Sequence, residues 1–373
     1  MFLLMVVGCD PKLSGTNMSF DPIRCAETLN SFQGESDWLR IVTVDMHTGG
    51  EPLRIVASGF PQIPGRHAIE RRQYCISRLD HLRKLLMWEP RGHADMYGCI
   101  VTPPNDAFDD VQADFGVLFM HNEGYSSMCG HGIIAVTKLA VETGLVPAEE
   151  PETTVLIDSP AGRITSVATV VQGCVVSVSF ENVPAYVELS NQCVHVESIG
   201  EIQFDLAYGG AYYAYVDIAQ LDLDLVTRDA QQLILAGRKI KKAVQQQFDI
   251  KHPVHDELSF LYGTIFYGPA HDPDNHSRNV CVFADGEVDR SPTGTGVSGR
   301  VAIHYWRGEL ALGETITIES ILGTTFDVCP IAETTLGHQA AVVPRVTGSA
   351  HFTGRNEHWV DPGDAQRHGF LVR

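Results

Sequence analysis

The chain has 373 residues, 44% of them hydrophobic, and 46 acidic against 27 basic side chains give it a formal charge of −19. That length accommodates two domains of about 150 to 200 residues, while the acidic balance repels a nucleic-acid backbone and an anionic lipid surface alike. No apolar run approaches the ~20 residues of a membrane span, and nine scattered cysteines without a CxxC pair read as reduced thiols of a cytoplasmic protein.

The opening MFLLMVVGC is apolar like a short export signal but lacks the positive flank. Residues 1–38 show no steady periodicity and read as a disordered leader. Between 68 and 88, Ile69, Ile76, Leu79, Leu82 and Leu86 fall at helical spacing, which predicts a surface helix stopped by Pro90. VLFM at 117–120 predicts a strand that runs into SMCGHG at 127–132. TTVLIDSPAGRITSVATVV and CVVSVSFENVPAYVEL read as hairpins, and the polar stretch Ser190 to Glu197 reads as the domain boundary. After Thr227, a candidate N-cap, Leu233, Ile240 and Val244 predict an amphipathic helix with Lys239, Lys241 and Lys242 on a solvated face. VCVFA at 280–284 predicts a strand leading to SPTGTG at 291–296. The chain is thus strand-rich α/β, with an N-terminal domain over 39–190, a C-terminal domain over 191–350, and a segment over 351–373 that returns to the first domain.

Setting SMCGHG over SPTGTG, 164 positions apart, aligns Ser127 with Ser291, Gly130 with Gly294, Gly132 with Gly296 and, upstream, Glu123 with Glu287. Cys129 falls on Thr293. Each copy reads as strand, loop and helix start, so two copies of one domain would face each other across a cleft with Cys129 opposite Thr293. Glycines let backbone approach a ligand, and the free N–H groups of a helix start form an anion site suited to a carboxylate. The same positive helix end would lower the pKa of Cys129 from about 8.5 toward neutrality and make it a base, with His131 helping electrostatically. The alternative for Cys129 is a buried small hydrophobe, and for Thr293 an ordinary N-cap. His47, His93, His121 and His131 are dispersed and form no HExxH motif, so no metal site is predicted. GTGVSG at 294–299 lacks the lysine of a phosphate-binding loop.

MCGHG at 128–132, DRSPTGTG at 289–296, VDMHTGGEPLR at 44–54, PRGHADMYGC at 90–99 and DLAYGGAYYA at 205–214 together resemble the proline racemase family from about Ile41 onward. The resemblance implies a diaminopimelate-epimerase-like fold: two pseudo-symmetric α/β domains, each a curved sheet or barrel around a central helix, with the active site at their interface. It also implies no cofactor and a homodimer. Racemases and epimerases of the family carry cysteines at both turns, so Thr293 is a departure that resembles the trans-3-hydroxy-L-proline dehydratase subgroup. A threonine hydroxyl is a poor acid or base toward carbon, and a syn elimination needs a base on one face only. The resemblance implies Cys129 as base, Thr293 opposite it, Asp289 holding the substrate's ring nitrogen, and the N–H groups of Gly130, His131, Gly294 and Thr295 on its carboxylate. His47, Glu51, Arg91, His93 and the Tyr208–Gly210 turn read as scaffold, and Cys281 as core. The open alternatives are a proline racemase or 4-hydroxyproline 2-epimerase, and a binder of proline-like ligands without chemistry.

Overall fold

In chain order, the computed structural model, which describes residues 21–106 and 111–372, has helix α1 (Pro22–Ser31), strands β1 (Leu39–Thr48) and β2 (Glu51–Ser58), helices α2 (Ala68–Tyr74) and α3 (Asp80–Met87), and strands β3 (Tyr97–Thr102) and β4 (Phe115–His121). Helix α4 (Gly130–Glu142) follows, then strands β5 (Glu152–Ser159), β6 (Gly162–Val171), β7 (Cys174–Glu181), β8 (Tyr186–Val196), β9 (Gly200–Tyr208) and β10 (Tyr212–Asp217). The remainder is helix α5 (Ala230–Gln247), strands β11 (Leu261–Gly268), β12 (Ser277–Phe283) and β13 (Glu287–Val288), helix α6 (Gly294–Trp306), and strands β14 (Ile316–Glu319), β15 (Thr325–Leu336), β16 (Gln339–Gly348) and β17 (Ala350–Val360).

Contacts divide the chain into a unit ending at Trp38 and a second beginning at Leu39. Residues 1–20 of the expected leader lie outside the described residues. In the rest of it, α1 is regular helix, with Pro22 in its first turn and Asp21 accepting from the Ile23 and Arg24 N–H groups. The reading of the leader missed it: Ile23, Ala26 and Leu29 do recur at helical spacing, but none of its residues is buried.

From Leu39 onward the strands repeat one order. β2 pairs parallel with β3, β3 antiparallel with β4 and β4 parallel with β5; β10, β11, β12 and β14 repeat these pairings in the same senses. Antiparallel hairpins β5–β6–β7 and β14–β15–β16 complete the two sets, and β7 pairs with β16 to join them. The last strand of each set crosses over. β8 lies antiparallel to β9, and β17 returns to lie antiparallel to β1. Most of Ser190 to Glu197 belongs to β8, where the register slips between Leu189 and Gln192 and Asn191 takes φ 51°. Strand pairing changes over earlier, between Glu181 and Tyr186.

Two helices fill the two sets. The α4 sequence GHGIIAVTKLAVE and the α6 sequence GTGVSGRVAIHYW are each buried over ten of thirteen residues, as a helix apolar nearly all round must be. Even Arg300 of α6 is buried; it is satisfied by Asn279 Oδ1 at 2.9 Å and Ser277 Oγ at 3.3 Å, and stacks on Tyr267.

The helix expected over 68–88 is two α-helices joined by a π-helical turn at Cys75–Leu79. It is also less exposed than its spacing suggested, because Arg71 and Arg83 turn inward to donate to the carbonyls of Pro103, Pro104 and His121. Thr227 does not cap α5: it opens a short 3-10 turn, and Asp229 precedes the α-helix. Lys241 leaves the expected solvated face, being half-buried with its Nζ donating to Ala284 O at 2.6 Å.

Candidate active site

The N-termini of α4 and α6 meet at the centre of the molecule. A Cβ added to Gly130 would stand 2.6 Å from Gly294 Cα, and one added to Gly294 the same distance from Gly130 Cα. Both glycines are thus required by each other, not only by a ligand. Their helices begin their hydrogen bonding with Ile133 N–H to Cys129 O and Val297 N–H to Thr293 O, so the N–H groups of Gly130, His131, Gly294 and Thr295 precede the helical ladder and remain available to an anion.

Around this junction lies a small cavity of about 20 Å³. All seven residues singled out from the sequence line it: Cys129, Gly130, His131, Asp289, Thr293, Gly294 and Thr295, together with Met128, Tyr97, Tyr213, Tyr262 and Phe283. Of the residues read as scaffold, His47, Glu51, Arg91, His93, Tyr208, Gly209 and Gly210 do not line it, and neither does Cys281. Arg91 ties the Trp359 and Arg367 carbonyls, and the Gly209 turn packs on α6, where a Cβ would meet Thr295 O at 2.4 Å.

Cys129 is the N-cap of α4, in extended conformation, and its Sγ accepts from Gly132 N–H at 3.3 Å. His131 Nδ1 lies 3.2 Å from the same sulfur. The expected lowering of the thiol's pKa is not found. Burial pushes Cys129 well above the ordinary thiol range and the Asp289 charge adds to it, outweighing the Gly132 N–H and the Tyr97 hydroxyl, which favour thiolate. Burial likewise holds His131 below its ordinary value, against the opposing pull of Asp289.

Thr293 is not an ordinary N-cap. Its backbone sits at φ 70°, ψ 98°, its side chain makes no capping bond, and its buried Oγ1 lies near the Cys281 thiol without a hydrogen bond of ordinary geometry. A β-branched residue in that region is strained. Asp289 is 5% exposed and accepts from Ser291 N–H at 2.7 Å. Behind it, Glu51 is fully buried and held well above the carboxylate range, by burial first and the Asp289 charge second; it accepts from Arg290 N–H at 2.7 Å.

Among the described residues no group of three or more His, Cys, Asp or Glu side chains is placed to hold a metal ion. No helix among them is long and apolar enough to cross a membrane.

The aromatic wall was missed from sequence, although a signal was present. YGCI at 97–100 recurs as YGTI at 262–265, and Gly49–Gly50 before β2 recurs as Gly209–Gly210 before β10. These pairs sit on matching strands, so the duplication extends well upstream of the two glycine-rich turns.

A cavity closed by two opposed helix starts, each at the centre of one strand set, defines the epimerase-like class of two-half enzymes. A hydroxyproline epimerase from Agrobacterium vitis, solved with bound trans-4-hydroxy-L-proline, matches at a TM-score of 0.83 and 31% identity over 90% of this chain and 96% of that one. Residues 43–371 match the proline racemase family, and the chain belongs to that family. It is 50% identical over 339 residues to a trans-3-hydroxy-L-proline dehydratase of Colwellia psychrerythraea, covering 91% of this chain and 94% of that protein. It is 46% identical to a 3-hydroxyproline 2-epimerase of Burkholderia multivorans, covering 89% and 98%. The pseudo-symmetric α/β architecture expected from the resemblance is the one found.

Proposed function

We propose that the chain dehydrates trans-3-hydroxy-L-proline to Δ1-pyrroline-2-carboxylate, with Cys129 as the base. One observation carries this reading: the two matched helix starts bring a thiol and a threonine to a single cavity, so only one face of a bound ring meets a group able to take a proton from carbon. In trans-3-hydroxy-L-proline the hydroxyl is opposite the carboxylate and therefore on the same face as the α-hydrogen. Loss of both is syn, and one base suffices.

The substrate carboxylate takes the N–H groups of Gly130, His131, Gly294 and Thr295, where such donors stabilise charge developing next to the α-carbon. Its ring ammonium takes Asp289. That pairing cancels the negative charge that helps keep Cys129 protonated, and His131 Nδ1 at 3.2 Å can accept the thiol proton. The thiolate then removes the α-proton as the 3-hydroxyl departs, and the resulting enamine tautomerises to the cyclic imine. Thr293 offers no proton to the far face, which keeps the product from being an epimer.

The relatives named above support this substrate class, and the epimerase among them keeps inversion as the second reading. An NMR time course in D2O with trans-3-hydroxy-L-proline, L-proline and trans-4-hydroxy-L-proline separates them. Loss of the first substrate alone, with the pyrroline appearing and Cys129→Ser inactive but folded, is the expected result. Inverted, α-deuterated proline or hydroxyproline would replace the dehydratase reading by an epimerase one.

A further inference from the structure

The elimination just described leaves one proton unassigned, the one that makes the departing 3-hydroxyl a water molecule. Two hydroxyls of the cavity wall, those of Thr293 and Tyr262, make no hydrogen bond of ordinary geometry, although Cys281 lies close enough to the first and Tyr97 to the second to interact with them. Of the other tyrosines of the wall, Tyr213 bonds to Thr295 Oγ1 at 2.8 Å, and Tyr97, which bonds to Ser126 Oγ at 2.5 Å, also reaches Cys129 and Tyr262. Thr293 belongs to the face opposite Cys129 in the proposed pose, whereas the 3-hydroxyl leaves from the Cys129 face.

Tyr262 is set in place from behind. Its ring stacks on Phe283 at 5.4 Å and meets the edge of His121 at 6.1 Å. Fully buried Glu287 stands behind this group, 3.4 Å from His121 Nδ1. Tyr97 interacts electrostatically with both Tyr262 and Cys129. The two tyrosines begin the recurring YGCI and YGTI segments, at the starts of β3 and β11, so the duplication itself delivers one from each half to the same wall.

We propose that Tyr262 is the acid that protonates the leaving hydroxyl, and that Tyr97 returns the proton from Cys129 to Tyr262. The inference rests on the dehydratase reading. As Cys129 thiolate takes the α-hydrogen, the C–H electron pair becomes the new ring double bond. The C3–O bond breaks with its electrons on oxygen, and that oxygen takes the Tyr262 proton to leave as water. The enzyme then holds a thiol and a tyrosinate. Transfer of the thiol proton to the Tyr97 oxygen, as the Tyr97 proton passes to Tyr262, restores thiolate and phenol without a proton from bulk water. Burial and then the Glu287 charge keep Tyr262 above the ordinary phenol range, which holds it protonated between turnovers.

The test compares two leaving groups on one ring. Fluoride departs with far less need of a proton than hydroxide does. Tyr262→Phe removes one oxygen and keeps the ring that stacks on Phe283, so the variant retains the wall. We expect it to lose about 10²- to 10⁴-fold in kcat on trans-3-hydroxy-L-proline and less than about five-fold on trans-3-fluoro-L-proline. Tyr97→Phe should keep a rapid first turnover on the hydroxy substrate and slow afterwards. Equal losses of Tyr262→Phe on both substrates, or no loss on either, would overturn the assignment. So would Thr293→Val reproducing the leaving-group selectivity. If the wild-type protein eliminates neither group, the dehydratase reading itself fails.

Discussion

Cys129 is singled out from sequence only because its surroundings are duplicated, and its proton affinity is not readable there at all. A helix start favours thiolate, but the sign of the net shift is set by how much water the folded chain removes, and here burial dominates. Titrating the substrate-free protein by thiolate absorbance, against Cys129→Ser as reference, should show the Cys129 signal only above the ordinary thiol range of about 8.5. A signal near neutrality would mean the helix end prevails. Thr293 makes a second prediction. Thr293→Cys places a thiol at the matching helix start, and should confer α-hydrogen exchange with inversion on L-proline or trans-4-hydroxy-L-proline, read by deuterium incorporation. A folded variant that binds these ligands without exchange would sink the one-face argument. Tyr97 and Tyr262 escaped attention for a different reason: an aromatic residue opening a β-strand looks like core until the opposite strand set is in view.

For the secondary-structure elements, the strands and the two buried helices were legible because alternation and glycine-rich turns report local geometry. What failed was capping and solvation. The inward arginines of 68–87 and Lys241 depend on partners distant in sequence, and at Thr227 the chain makes a 3-10 turn before the α-helix begins. The helix junction carries its own prediction. Gly130→Ala and Gly294→Ala each force a Cβ to 2.6 Å from the facing Cα, and backbone cannot yield as a flexible side chain can. Each should cost about 1–3 kcal/mol of stability by overpacking, read as a lowered melting temperature without any ligand. Unchanged melting with weakened substrate binding would show that the glycines serve the ligand alone.

Strand β14 supplies another. Glu319 is buried at its end, accepting from His271 and Asp272 N–H groups, Asn275 and Arg278. Although burial opposes ionisation, these bonds hold its carboxyl down from 4.5 to about 2. A depressed folded-state value stabilises the fold above the unfolded pKa, and the contribution disappears as pH falls from about 4.5 through about 2. About 3 kcal/mol is involved. Glu319→Gln should flatten the pH dependence of unfolding in that window and leave it unchanged near neutrality; an unaltered acid limb would count against the network.

Taken whole, the two-half plan could be inferred from one short repeat, whereas the exchange of end strands could not. Nothing in the composition of β8 or β17 says which set each will join, since an antiparallel edge accepts either. Each half surrenders its final strand to the other and cannot satisfy its own first strand without receiving one back. A polypeptide holding one half would therefore be complete only as a reciprocally entwined pair, with assembly dependent on concentration. The turn at 197–199 makes that association intramolecular, replacing dilution-sensitive pairing by a fixed effective concentration. Chains covering 39–197 and 198–373, produced together, should copurify as a one-to-one complex with a cooperative melt, while either alone should precipitate or remain unfolded. Independent folding of either piece would show that the exchange is dispensable. The hairpin turn between β8 and β9 is, on this reading, the scar of a joined dimer.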